Sequence, residues 1–390
     1  MWSGRNFKVL MEAIERINQT SLYRVWLVLL YLLSCGATAF AQTPNQLGWT
    51  PAKTRVFFID VLLYEGESAP PASWLEIPSS AFVDQFRELG VPANQIMLLT
   101  KQQATAQNVS NQFAAFLRQS RPGEMLIFAF SGHSGRNILS MHDRSLQKTW
   151  LIDAIETNFR GSHALLFIDS CYSGGVVDLI DRRRSRISYG ALSSTFSQQS
   201  ASSGCRFYQS LLRGFGGNPV VDLDKDGYVT FGELAWYTKR YMAHAAEGKP
   251  MFATSGAFDL NMRLTVAKGQ APDRVGELVE VRWKGKWYRA EILAVTPDGF
   301  KIHYTKNTKS DEDEVVSADD VRVPQFPRYK VGHRVEVKSG TDGKWHPATV
   351  LATFESLHGC RVDGLPPTKD EWFGPSRIRP ISTSLGRPNP

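Results

Sequence analysis

Two apolar runs in this chain end in residues able to do covalent chemistry. Met125-Leu126-Ile127-Phe128-Ala129-Phe130 runs into Ser131-Gly132-His133-Ser134-Gly135. Ala164-Leu165-Leu166-Phe167-Ile168 runs into Asp169-Ser170-Cys171-Tyr172-Ser173-Gly174-Gly175. A thiol is a weak nucleophile until it loses its proton, and a nearby imidazole can take that proton or stabilise the thiolate as an ion pair. The glycines let a substrate backbone approach closely and leave local N–H groups free to hold an oxyanion. Taken singly, Cys171 reads as a structural thiol and His133 as a loop histidine. Taken together, both on glycine-rich ends of apolar runs, they read as a nucleophile and its partner.

A third constellation suits a hard cation. Asp222-Leu223-Asp224-Lys225-Asp226-Gly227-Tyr228-Val229-Thr230-Phe231-Gly232-Glu233 matches the twelve-residue EF-hand loop at each diagnostic position. Oxygen ligands would come from Asp222, Asp224, Asp226, the Tyr228 carbonyl, Thr230 (often through water) and bidentate Glu233, with Gly227 making the sharp turn. The other reading is a metal-free acidic turn. Calcium is therefore the one cofactor expected; the Cys–His chemistry requires none.

These residues need a frame to hold them. From about 54 to 264 short apolar runs alternate with helical periodicity. Val56 to Ile59, Ile96 to Leu99, Met125 to Phe130, Ala164 to Ile168 and Tyr189 to Leu192 read as strands. Ser80 to Leu89, Val109 to Leu117, Trp150 to Phe159, Phe207 to Phe215 and Glu233 to Ala246 read as helices. Such alternation predicts an α/β fold with a mostly parallel sheet covered on both faces. Functional residues in such sheets collect beyond the carboxyl ends of the strands, where His133 and Cys171 sit.

The expected linker spans 265–273. After it the chain repeats itself. Val275-Gly276, Val279-Glu280-Val281 and Gly285-Lys286-Trp287 match Val331-Gly332, Val335-Glu336-Val337 and Gly343-Lys344-Trp345, and Ala290-Glu291-Ile292-Leu293-Ala294 matches Ala348-Thr349-Val350-Leu351-Ala352. Copies over 274–324 and 329–380 are each long enough for a small all-β barrel, and a loose tail follows over 381–390.

Composition bounds the rest. With 42% hydrophobic and 21% charged residues, the 390-residue chain is neither fibrous nor disordered, and its net charge of +7 is too modest to demand nucleic acid. Residues 1–41 combine a basic stretch, the apolar run Val25 to Leu33 and an Ala39-Phe40-Ala41 site, which reads as a secretory signal peptide. An uncleaved anchor, or a lipoprotein site at Cys35, are the alternatives. The rest of the chain is expected outside the cytoplasm, with no stable membrane span after cleavage. Cys171, Cys205 and Cys360 would then remain, an odd number that leaves a thiol unpaired.

The paired motifs resemble those of the caspase-like cysteine peptidases, especially the bacterial metacaspase-like branch, over roughly 54–264. Ser131-Gly132-His133 resembles that family's His-Gly loop, and Asp169-Ser170-Cys171-Tyr172-Ser173-Gly174 its nucleophile motif. The resemblance implies a six-stranded sheet and a Cys171–His133 dyad. It implies an oxyanion site from backbone N–H groups near His133 (Gly132, Ser134) and at Cys171. It also implies a pocket for Arg or Lys lined by Asp169 and Ser131. The family usually has Gly immediately after the His; here Ser134 intervenes, and a positive φ there would strain it. The first strand lacks the usual Gly-rich opening, so no third acidic pocket residue is carried over. The basic stretch Arg182 to Arg186 reads as a solvated loop or a self-cleavage site.

The repeats resemble Tudor or agenet SH3-like barrels through Trp283, Trp287, Tyr288 and Tyr304 with the acidic run Asp311 to Glu314, and through Trp345, Trp372 and Phe373 with Asp370-Glu371. Aromatic faces beside carboxylates can bind a peptide or a cationic group; they can equally fill a barrel too small to bury much else. The acidic run disfavours nucleic acid. The expectation is an exported, bacterial-type cysteine endopeptidase acting on a protein or peptide substrate, with C-terminal barrels that target it. An inactive caspase-like scaffold is the alternative, and a legumain- or gingipain-type peptidase would share the mechanism with other specificity.

Overall fold

A computed structural model describes residues 47–61, 63–66, 79–181, 183–197, 206–246, 250–305, 313–339, 342–354, 356–366 and 370–381. The expected signal peptide, Arg182, Cys205, Asp311, Glu312 and residues 382–390 lie outside them.

The central sheet is built from β1 (Thr54–Asp60), β2 (Ile96–Thr100), β3 (Met125–Ser131), a short hairpin of β4 (Ile138–Ser140) and β5 (Ser145–Gln147) that stands apart, β6 (His163–Asp169) and β7 (Ser188–Ser193). β8 (Tyr228–Thr230) and β10 (Arg263–Val266) form a separate pair, and β9 (Met251–Ser255) completes the main sheet in the order β2-β1-β3-β6-β7-β9. The first five strands are parallel and β9 is antiparallel.

All seven residues of β1 are buried. Val56 and Phe58 enter one apolar layer while Phe57 and Ile59 enter the other. A strand covered on both faces must be apolar throughout, which is why these strands read as unbroken runs. One layer holds α1 (Ser79–Glu88), α5 (Arg206–Phe215) and α6 (Phe231–Ala246). The other holds α2 (Ala106–Arg118), α3 (Lys148–Asn158) and α4 (Gly174–Asp181). The α2 stripe Val109, Phe113, Phe116 and Leu117 is buried on helical spacing, and the Thr105 side chain caps the helix by accepting from the Asn108 N–H.

Two antiparallel sheets follow. The first comprises β11 (Leu278–Trp283), β12 (Lys286–Thr296), β13 (Gly299–Tyr304), β14 (Glu314–Val316) and β15 (Val321–Arg322). The second comprises β16 (Arg334–Lys338), β17 (Trp345–Phe354), β18 (Leu357–Val362), β19 (Glu371–Phe373) and β20 (Ile378–Pro380). Their strand orders, β14-β13-β12-β11-β15 and β19-β18-β17-β16-β20, are the same arrangement twice. Each curls around its own small core, Val279, Val281, Ile292 and Ile302 in one and Val335, Val337, Val350 and Cys360 in the other. The fold is thus the one expected: a six-stranded, mostly parallel sheet flanked by helices, then two small all-β barrels. Thr265 and Val266, placed in the expected linker, are still strand, because β10 pairs with β8 and closes the calcium-type loop onto the α/β domain.

The first barrel is packed onto the α/β domain through partly buried polar contacts. Arg213 on α5 donates to both oxygens of Glu291 at 2.6 and 2.7 Å, with Glu291 2% exposed. Arg206 Nε donates to the Thr305 carbonyl at 2.8 Å, and Arg289 donates to the His244 carbonyl at 2.7 Å.

Candidate active site and binding modules

Strand register decides which residues share an edge. β3 lies between β1 and β6, parallel to both, and Ser131 pairs with Asp60 on one side and Asp169 on the other. His133 and Cys171 each follow by two residues, so both leave the same carboxyl edge of adjacent strands.

The His133 loop is held from several sides. Gly132 has φ +153°, and a Cβ there would lie 2.8 Å from the Tyr64 hydroxyl, so this position requires glycine. Its N–H donates to the Asp169 carbonyl at 3.2 Å, and the His133 N–H donates to Tyr64 Oη at 2.6 Å. The Tyr64 and His133 rings lie 4.9 Å apart. The β4–β5 hairpin grips the loop through Ser140 N–H to the His133 carbonyl and Gly135 N–H to the Ile138 carbonyl. Ser134 is not among the residues with positive φ, so the serine carries none of the strain considered above. Its hydroxyl donates to the Cys171 carbonyl, and the Ser170 hydroxyl donates to it at 3.1 Å. With the Gly132 N–H committed to the sheet, the Ser134 N–H is the donor of this expected pair that has no partner among the described residues.

The Cys171 loop rests on the segment after β7. Ser170 N–H donates to Ser194 Oγ at 3.2 Å, Ser173 N–H to Thr195 Oγ1 at 3.1 Å, and Thr195 Oγ1 to the Ser170 carbonyl at 3.1 Å. Half-buried Cys171 is followed by Tyr172 at φ +55°, a conformation sparsely used outside glycine and concentrated at functional sites.

Two residues before His133 and Cys171, a row of polar groups crosses the strands. Asp60 is 2% exposed, bonded by the Ser79 and Ser131 side chains, and its Oδ1 has no partner among the described residues. Burial raises its carboxyl to about 6. Burial also raises Asp169 to about 6, against a hydrogen bond from Ser194, and the charge of Asp60 adds to the rise. The buried Tyr208 hydroxyl, also unpartnered among the described residues, feels both carboxylates. Asp60 is therefore a second acidic group at this edge, beside Asp169. Its only mark in the sequence is its position as the last residue of the first strand.

Sequence reasoning also missed Lys148. This 2%-exposed residue opens α3 and donates to three backbone carbonyls of the two loops. Beside it is a cleft of about 750 Å³ lined by Arg136, Lys148, Asp178, Arg183 and Arg184 among others. In the basic stretch after α4, Arg183 binds Asp153 and Glu156, and Arg186 binds the carbonyls of Glu156, Phe159 and Gly161. Arg184 remains exposed.

In the calcium-type loop the carboxylate oxygens of Asp222, Asp224 and Asp226 lie within 4.8 Å of one another. Gly227 turns at φ +90°. Glu233 accepts from the backbone of Leu223, Asp224 and Thr230, so the twelfth residue already faces the first half of the loop. The Thr230 hydroxyl donates to Glu233, while Tyr228 carries Arg263 3.8 Å from its ring.

The barrel aromatics divide into two groups. Trp287 and Trp345 occupy equivalent places, and each is covered by an arginine of its own repeat. Arg322 lies 3.8 Å from the Trp287 ring and Arg379 4.1 Å from that of Trp345, the two being paired in turn with Glu280 and Glu336. Trp283, Tyr288 and Tyr304 form a contiguous cluster, centroids 5.7 and 6.2 Å apart, with Glu314 accepting from the Tyr304 hydroxyl and Lys284 Nζ 4.7 Å from the Trp283 ring. Register places Ser339, His346 and Val362 at the corresponding sites of the second barrel, which therefore lacks the cluster. Its Trp372 stacks on Phe196, 5.4 Å away, in the segment that supports the Cys171 loop.

Residues 276–327 match the Agenet domain family. No curated protein matches the chain. Among solved structures, a protein from Geobacter sulfurreducens is similar over 55% of this chain and 100% of its own, at 16% identity and a TM-score of 0.38. Caspase-1 from Spodoptera frugiperda is similar over 57% and 93%, at 13% identity and a TM-score of 0.39. Among the described residues no helix is long and apolar enough to cross a membrane.

Proposed function

We propose that the chain is an exported cysteine endopeptidase in which Cys171 attacks a peptide carbonyl and His133 moves the proton to the leaving amine. The observation that carries this reading is the shared edge. Parallel neighbours β3 and β6 carry His133 and Cys171 off the same edge, two residues beyond buried Asp60 and half-buried Asp169 in register. The Ser134 N–H supplies one donor for the developing oxyanion. Asp60 and Asp169, with Ser131 between them, favour a cationic side chain, so cleavage follows Arg or Lys. An incoming guanidinium or ammonium would pair with the orphan oxygen of Asp60 and offset the cost of ionising both acids.

The barrels serve binding. The Trp283–Tyr288–Tyr304 cluster with Glu314 suits a cationic side chain of a peptide, and the second barrel braces the catalytic domain through Trp372. Calcium fits the Asp222–Glu233 loop. Asp222, Asp224, Asp226, the Tyr228 carbonyl, Thr230 and Glu233 would hold it, and its charge would relieve the crowded carboxylates that, with burial, raise Asp222.

The test uses residues 42–390 and the Cys171→Ala variant on fluorogenic peptides ending in Arg, Lys or Asp under reducing conditions, with calcium and then chelator. Hydrolysis after Arg or Lys that vanishes in the variant is expected. No turnover on any peptide, including after limited proteolysis, would leave the inactive scaffold as the better reading.

A further inference from the structure

Lys148 stands where a lysine is costly. It is buried at the first position of a helix, where the macrodipole opposes a cation. Three acceptors offset that cost. Its Nζ donates to the carbonyls of Gly135 at 2.9 Å, Arg136 at 3.0 Å and Tyr172 at 2.6 Å. An ammonium has three donors and no acceptor, so the site is matched to the charged form. A neutral amine would turn a lone pair toward one of the carbonyls. Burial pushes Lys148 down to about 8, with Asp178 and then Cys171 pulling the other way, so the ammonium predominates at neutral pH.

The acceptors lie on the two catalytic loops. Gly135 and Arg136 follow His133 by two and three residues, and Tyr172 follows Cys171 directly. Tyr172 is the residue held at positive φ, and its carbonyl is fixed by Lys148 and by the Gly175 N–H at 3.0 Å. The charged or titratable groups around the clamp are Asp178 from α4, Cys171 from its own loop, Arg136 from the His133 loop, and Arg183 and Arg184 from the segment after α4, which line the same cleft. The Arg136 guanidinium lies 5.7 Å from the Tyr172 ring.

We propose that Lys148 is a positioning residue that locks the His133 loop to the Cys171 loop. The proposal rests on the peptidase reading for its purpose, but its test does not. In the full chain, alkylation of Cys171 by iodoacetamide would be followed by mass spectrometry across pH in the wild type, Lys148→Met and Lys148→Gln. Burial pushes the Cys360 thiol up to about 12, so it does not compete.

The methionine variant removes both bonds and charge, and the glutamine variant keeps donors without charge. Both should alkylate at least about threefold more slowly at pH 7, because the loop that presents the Cys171 thiol is no longer held in place. Turnover in the methionine variant should fall about tenfold or more with KM changed far less, as expected for misaligned loops. Should the methionine variant not fold, the glutamine variant decides alone. Wild-type alkylation rates in the folded variants would overturn the proposal and leave Lys148 a structural bond. If the wild type cleaves no peptide yet alkylation slows as expected, the peptidase reading fails and the coupling of Lys148 to Cys171 stands.

Discussion

Replacing Asp60 by Asn should make the protein more stable and less able to use Arg substrates. The Asp60 carboxyl is 2% exposed and lifted from the ordinary 3.8 to about 6. Holding it ionised in the fold therefore costs up to about 3 kcal/mol at neutral pH. The sign follows from linkage. The folded state binds its proton more tightly than the unfolded chain, so the stability contributed by protonation is complete below about pH 4. It is lost as pH rises through about 6. Removing this charge also relieves Asp169, whose carboxyl Asp60 helps to raise. Urea unfolding at pH 4 and pH 7.5, in a Cys171→Ala background to prevent self-cleavage, should show Asp60→Asn stabilised by roughly 1–3 kcal/mol at the higher pH and hardly at the lower. In the active background KM for an Arg peptide should rise about tenfold, the scale of one lost charge-assisted contact. Wild-type KM should itself fall as pH rises through about 6 and both acids ionise. A variant with wild-type stability at pH 7.5, the same pH slope and an unchanged KM would refute the placement of Asp60 in a substrate pocket.

Other perturbations test other parts of the molecule. Saturating calcium should raise the midpoint of thermal unfolding, by about 2.7 kcal/mol of stability at a hundred times the dissociation constant, and Glu233→Gln should abolish the rise; calorimetry with and without chelator checks it. Arg213→Ala leaves Glu291 buried without its cation and should cost about 3–5 kcal/mol, read by denaturant unfolding. The double variant Arg213→Ala with Glu291→Gln should recover part of that loss. Trp372→Ala removes the stack on Phe196, so KM for peptide substrate should rise a few-fold as the segment under the nucleophile loop loosens, about 1 kcal/mol for one aromatic pair. Unchanged steady-state kinetics would mean that the second barrel does not support the site.

Much of the fold was legible in the residues. Strands covered on both faces read as apolar runs, and amphipathic helices as stripes on helical spacing, so order and type of element follow from local pattern. His133 and Cys171 were legible because the glycines beside strand ends mark a loop that must approach something closely. The clustering of Asp222, Asp224 and Asp226 was legible because the three are close neighbours in the chain.

Non-local geometry was another matter. Asp60 joins the site through the register of β1 against β3, and parallel register is set by packing across the whole sheet rather than by neighbours in the chain. Ser134 reads in sequence as a departure that could strain the loop. Only its negative φ and its bond to the Cys171 carbonyl show that it fastens the loops together. Lys148 has no side-chain hydrogen-bond partner among the described residues to betray it, because its acceptors are backbone carbonyls that any residues could supply. The repeats look alike as sequence. Yet pairing of each strand with its neighbour is what sets Trp283, Tyr288 and Tyr304 side by side in one barrel and sends Trp372 of the other to Phe196. Sequence alone determined which residues could react and which elements would carry them. Tertiary structure decided which groups face one another, since charge, hydrogen bonding and burial depend on distances that only the packed chain defines.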